Sequence, residues 1–181
     1  PANLGIALHP DFEYVAVDTG AGGVFIMARD LVDACMARFG VRDFSILTRL
    51  DPKALERKRC RHPLYGRDSL IVLSRHVTLD AGTGCVHTAP GHGHEDHEVG
   101  LEYGLEAYSP VDDRGRFTPD VEFFGGQFVF DANTPISARL RENGTLVHEG
   151  RFEHSYPHCW RCKQAVIFRA TPQWFISMDK T

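Results

Sequence analysis

The sequence predicts a mixed α/β, β-rich domain built around one core, and three observations lead there. Short apolar stretches with strand-like alternation recur along the chain, three segments carry a helical apolar stripe closed by glycine, and the order of these elements is not a regular β-α-β repeat. The last point argues against a doubly wound parallel sheet. A length of 181 residues fits one domain, or one domain with a flanking piece.

The elements follow in order. Glu13 to Val17 alternates, Asp18 to Gly23 is rich in turn residues, and Val24 to Met27 is apolar again, which predicts a hairpin with a longer loop. Asp30 to Phe39 reads as a helix with Leu31, Ala34, Cys35 and Phe39 on one face and Gly40 as its stop. Cys35 on that stripe reads as a small core residue. Phe44 to Leu47 and Leu70 to Leu73 are further strand candidates. The basic run Glu56 to His62 reads as a charged strand or loop edge, with contact to a phosphate backbone as the alternative. Asn133-Thr134-Pro135 opens a helix that points Ile136 and Leu140 inward and stops at Gly144.

Composition limits the partners. With 20 basic and 24 acidic side chains the formal charge is −4, so wrapping a polyanion on a broad basic face is excluded, whereas gripping only the end of a nucleic acid is allowed. No run approaches the ~18–20 apolar residues of a membrane span, which predicts a soluble chain with no membrane partner. Five cysteines form an odd set without a disulfide-framework spacing, pointing to the cytoplasm. The first methionine is Met27, and the chain ends soon after the apolar Trp174-Phe175-Ile176, so the sequence is read as a segment of a larger protein.

The chemistry concentrates between Asp80 and His97. Gly82, Gly84, Pro90, Gly91 and Gly93 demand a sharply turning backbone, and His87, His92, His94 and His97 fall within eleven positions. From Gly93 the pattern becomes helical: Glu95, Asp96 and Glu98 suit a positive N-terminus, Val99 points inward and Gly104 ends the helix. A strand end, a glycine-rich bend and a helix start therefore converge on one mouth. Two chemistries compete for it. His92-Gly93-His94-Glu95-Asp96-His97 matches the H-x-H-x-D-H pattern of metallo-β-lactamase-like hydrolases, in which His92, His94, Asp96 and His97 would hold metal, with His148, His154 and His158 as loose further ligands.

In the second reading, Gly82-Thr83-Gly84-x-Val86-His87-x-Ala89-Pro90-Gly91-His92-Gly93-x-x-Asp96 resembles the signature of the editing domain (the CP1 insertion) of bacterial isoleucyl-tRNA synthetases. Valyl and leucyl relatives share the G-T-G frame and the aspartate but continue toward P-A-H-D. Pro1-Ala2-Asn3 looks like the end of that family's W-T-L-P-A-N stretch, and His154 to Arg161 and Phe168 to Phe175 resemble the strands returning to its synthetic domain. Three ordered matches spanning the chain favour this reading over one six-residue pattern.

The resemblance implies a small closed β-barrel core with peripheral helices, with residues 1–153 as the editing domain and 154–181 as the segment returning toward the synthetic domain. It implies hydrolysis of valyl-tRNA(Ile), with valyl-adenylate left open as a second substrate. An apolar pocket converts one methylene into only about 1–3 kcal/mol, a limit for which the isoleucine enzymes are themselves the standard illustration, so a second sieve is needed. The residues expected to act are His87 and Asp96 as the catalytic pair, with Asp96 also taking the substrate's α-ammonium. Asn3, Thr83, Gly91, His92 and Gly93 complete the binding set, the amides around Gly91 to Gly93 steadying the oxyanion. No cofactor is expected for the hydrolysis, while ATP belongs to the parent enzyme. The partners are the 3′-end of tRNA(Ile) carrying valine and the synthetic domain of the same chain. Because the family's threonine-rich strand precedes the position matching Pro1, the 181-residue chain alone is expected to deacylate weakly. Cys159 and Cys162 form a C-x-x-C knuckle, which reads either as half of a split structural zinc site or as two free thiols.

Overall fold

The computed structural model describes residues 1–150, 155–174 and 176–178. His154 and Phe175, from the two C-terminal matching motifs, and the boundary at 153/154 lie outside the described residues. Among the described residues, seven strands divide into two open sheets. β1 (Gly5–Leu8), β5 (Arg59–Arg61), β6 (Asp68–Leu73) and β7 (Val86–Thr88) form the first in the order β5-β6-β1-β7; β1 runs parallel to β6 and antiparallel to β7. β2 (Tyr14–Asp18), β3 (Val24–Ala28) and β4 (Ser45–Leu50) form the second, antiparallel, with β2 central.

The predicted hairpin is the β2–β3 pair, in register from Tyr14 opposite Ala28 to Asp18 opposite Val24. The closed barrel expected from the resemblance does not form among the described residues. Closure needs strands long enough to tilt and keep one continuous register. Here β5 and β7 have three residues each, a bulge interrupts the β2–β4 ladder between Ala16 and Val17, and β5 ends its sheet with the exposed Arg59 and Arg61. Those arginines are the charged strand edge that the basic run predicts.

Both sheets share a core. Leu8 and Ile71 from the first pack with Tyr14, Val15, Val17 and Met27 from the second and with helix α1 (Val32–Phe39). The Tyr14 hydroxyl stitches the two together, donating to Gly84 O at 2.6 Å and accepting from His9 N–H at 2.9 Å. α1 begins after a 3-10 turn over Arg29–Leu31, which moves the buried stripe to Val32, Cys35 and Met36 and leaves the expected Ala34 exposed. Cys35 is core, as predicted, and Gly40 ends the helix in the left-handed conformation. The short α2 (Pro52–Leu55) is capped by Asp51, whose carboxylate accepts from Lys53 N–H. On the other face of the first sheet, Ala7, Val72 and Val77 pack against Val99 of α3 (His94–Tyr103). A third cluster gathers Val111, Phe117, Val121, Phe124 and Ala132, with Ile136 of α4 (Asn133–Glu142) and Ile167 against it.

His62, between β5 and β6, is 4% exposed, and its Nδ1 accepts from the backbone N–H of Leu64 and Tyr65 at 3.1 and 3.3 Å. Burial, and then the Arg67 guanidinium, push its pKa down to about 4. The folded state favours the neutral ring, so the unfolded chain binds a proton there first as pH falls. Stability is complete above pH 6.5 and lost as pH falls toward 4, by about 3 kcal/mol. Denaturant midpoints at pH 7 and pH 4.5 read this loss. His62→Asn, whose side-chain oxygen can accept the Leu64 amide, should flatten it; an equal slope in both proteins would refute the assignment.

Candidate active site

β7 pairs with β1 so that His87 lies opposite Ile6, and the strand's alternation turns Thr88 into the core and His87 away from it. The chain then bends through Ala89, Pro90 and Gly91, with His92 N–H donating to Ala89 O at 2.9 Å. Gly91 has no alternative here. A Cβ at this position would overlap the Tyr108 carbonyl oxygen and come within 2.7 Å of its carbon and 3.0 Å of Ser109 N. Gly93 is different: its φ of −163° is ordinary extended backbone, and it serves as the N-cap of α3. In the first turn of that helix Asp96 reaches back, and its Oδ2 accepts from Ala89 N–H at 2.9 Å. Gly100 lets the same helix settle on Pro90, whose Cβ and Cγ lie 2.6 and 2.8 Å from where a side chain would begin. The strand end, the turn and the helix start are thus one rigid unit.

A cavity of about 280 Å³ opens beside this unit. His87, Ala89 and His92 form one wall; Val111, Phe117, Val129 and Phe130 form another; Pro1, Ala2, Tyr156, Ile167 and Phe168 complete it. Most of the lining side chains are apolar, with His87, His92 and Tyr156 carrying the polar ones. His87 is exposed at the cavity, and loss of water where the ring meets protein lowers its pKa, with the Asp96 carboxylate partly opposing the shift. It is therefore neutral at neutral pH. A second hollow of about 410 Å³ shares Phe168 with the first and is lined by Pro90, Gly91, Gly93, His94, His97 and residues 169–171.

The expected residues are thus brought together unevenly. His87 and His92 line the first cavity, Gly91 and Gly93 line the second, and Asp96 is joined to the first through Ala89. Asn3, Thr83 and the Asp96 side chain line neither. Asn3 donates to Gly5 O at 2.8 Å and accepts from the Ser69 hydroxyl, fixing the start of β1. Thr83 bonds to Cys85, and its carbonyl takes Ala28 N–H at 2.8 Å, docking the G-T-G turn on β3.

The metal reading fails on geometry. His92 Nδ1 meets Phe168 O at 2.9 Å, His94 Nε2 meets Glu98 at 3.5 Å, His97 Nδ1 meets Pro90 O at 3.3 Å, and Asp96 is on Ala89. These four side chains diverge, and no group of three or more metal-ligating side chains converges among the described residues. At the C-x-x-C knuckle, backbone N–H groups of Cys162 and Arg161 donate to the Cys159 sulfur and lower its pKa, a loop that favours thiolate. It supplies two sulfur donors where a tetrahedral zinc site needs four ligands.

Sequence reasoning missed the wall from Val111 to Phe130. The signal was there in Val111-Asp112-Asp113-Arg114-Gly115-Arg116-Phe117: a turn with Gly115 at φ +71° brings Val111 opposite Phe117. It missed Ile167 because that residue reaches the cavity only through long-range packing.

No family model matches the chain. It is 61% identical over 181 residues to the isoleucine–tRNA ligase of Geobacter sulfurreducens and 56% identical over 180 residues to that of Desulfovibrio desulfuricans, in each case over 99% of this chain. It spans about a fifth of the length of these relatives, 19% of each. A solved structure described as GlLeuRS-CP1 superposes with a TM-score of 0.63 at 16% identity, over 83% of this chain and 80% of that one. Among the described residues no helix is long and apolar enough to cross a membrane. A sequence this close to the ligases along its whole length, folded as a CP1 domain, belongs to the isoleucine–tRNA ligase family and is its CP1 segment.

Proposed function

We propose that this chain is the proofreading unit of an isoleucine–tRNA ligase and hydrolyses valyl-tRNA(Ile) to valine and free tRNA. The observation that carries the reading is the small apolar cavity with a neutral imidazole, His87, on a wall tied to the Asp96 carboxylate through Ala89. Its volume is at the small end of small-molecule sites, which suits an amino acid and part of its ester better than a whole nucleotide. Water adds to the ester carbonyl, the tetrahedral oxyanion collapses, and the ribose oxygen leaves with a proton. Asp96, in the first turn of α3, offers the negative charge that the α-ammonium group requires. His87 limits the side chain by shape. The Gly91 and Gly93 amides, on the wall of the adjoining hollow, meet the oxyanion, while the His92 amide is taken by Ala89 O.

On this reading residues 1–153 do the hydrolysis and 154–181 lead back to the synthetic domain, which uses ATP and works in the cytoplasm. Cys159 and Cys162 would hold half of a structural zinc there, the other two ligands coming from elsewhere in the parent chain. Deacylation of valyl-tRNA(Ile) by the ligase containing this segment tests the function, and loss of valine release in His87→Ala is expected. The 181-residue chain alone should release valine more slowly than that ligase; equal turnover would remove the role given to the threonine-rich strand.

A further inference from the structure

We infer that His92 is a positioning residue that sets the size of the cavity by holding the strap Phe168–Ala170 against the glycine turn. The inference rests on the proofreading reading and names what gives that site its selectivity.

A carbonyl oxygen can only accept, so the His92 Nδ1 that meets Phe168 O at 2.9 Å must carry the proton. That leaves Nε2 as the nitrogen with a lone pair, the one a general base would use. Nε2 is shut off from solvent and has no hydrogen-bond partner, so no water reaches it. The ring's contribution is therefore the bond through Nδ1 rather than proton transfer.

That bond has company. Two residues further on, Ala170 N–H donates to Gly91 O at 2.7 Å. Between them Arg169 points the other way and donates to Val111 O at 3.2 Å and to Asp113. The strap is held on one side by the glycine turn and on the other by the Val111–Phe117 hairpin. Held there, Ile167 and Phe168 line the cavity together with His87 and Ala89. A wall fixed in this way decides whether one more methylene fits. The buried, unpartnered Nε2 is the cost of using an imidazole as the latch.

The test measures kcat/KM for valyl- and isoleucyl-tRNA(Ile) hydrolysis by the ligase containing this segment, with amide hydrogen exchange at Ala170. In His92→Ala the valyl-to-isoleucyl ratio should fall about tenfold, through a gain on the isoleucyl ester, since one methylene is worth at least that much in a tight pocket. Exchange at Ala170 should quicken in the same variant. His92→Asn should restore both, because its amide N–H can stand where Nδ1–H stood. Arg169→Ala, which frees the strap from its other side, should lower the ratio as well. An unchanged ratio with valyl hydrolysis intact in the parent overturns this inference alone. So does an equal fall in kcat on both esters, the mark of a chemical role for the ring. A parent enzyme that hydrolyses neither ester overturns the proofreading reading, and this inference with it.

Discussion

Asp96→Asn should lower kcat/KM for valyl-tRNA(Ile) hydrolysis by about two orders of magnitude, near 3 kcal/mol, while leaving the fold intact. The asparagine side-chain oxygen can still accept from Ala89 N–H, the bond that Asp96 Oδ2 now makes at 2.9 Å, so the turn keeps its anchor. What disappears is the charge that acts on His87 and that, on the proposed reading, pairs with the substrate's ammonium group. Asp96→Ala should lose the same activity and also about 1–2 kcal/mol of stability, because the Ala89 amide is left unpaired in a partly buried place. Deacylation rates and melting curves of the two variants separate the contributions. An Asp96→Asn enzyme with normal turnover would show that the carboxylate serves only to anchor the turn.

Gly91→Ala should cost about 3 kcal/mol, a drop in melting temperature of roughly 10 °C for a chain of this size. The added carbon would meet the backbone of Tyr108 and Ser109, and backbone cannot swing aside as a flexible side chain does. The shift would also pull on Gly91 O, where Ala170 is bonded. Gly93→Ser makes the contrast. A Cβ there meets only the Asp96 side chain at an ordinary 3.6 Å, and serine is a better N-cap, so the melting temperature should hold or rise. Similar losses in both variants would mean that the turn tolerates neither and that Tyr108 is not the reason.

How much of this was readable before the coordinates depends on how local each feature is. The β2–β3 hairpin and the stops at Gly40 and Gly104 were legible because alternation and left-handed glycine act over a few residues. β1 was not. Gly5 to Leu8 is a short apolar run whose strand identity comes from pairing with β6, more than sixty residues away, and no local pattern encodes that. Chain closure into a barrel could not be read either, since it depends on strand lengths that the turn residues around β5 and β7 cut short. Within the site, the P-G-H-G run announced a tight turn but not its partners. That Gly91 answers to Tyr108 and His92 to Phe168 follows from packing across the molecule. At Thr83 the hydroxyl bonds only to its neighbour Cys85, and the backbone carbonyl docks the turn on β3, a contact the motif alone does not announce.

The latch between His92 and Phe168 joins positions 76 residues apart. A ribosome adding about 5–20 residues per second would need roughly 4–15 s to span that interval. Over the last 37 residues of that interval, about 2–7 s, the nascent polypeptide has made Val111, Phe117 and Phe130 but not Ile167 and Phe168, so a greasy hollow stands open to solvent. Truncated translation products ending before residue 167 should therefore bind trigger-type chaperones and clump, where the finished chain does not.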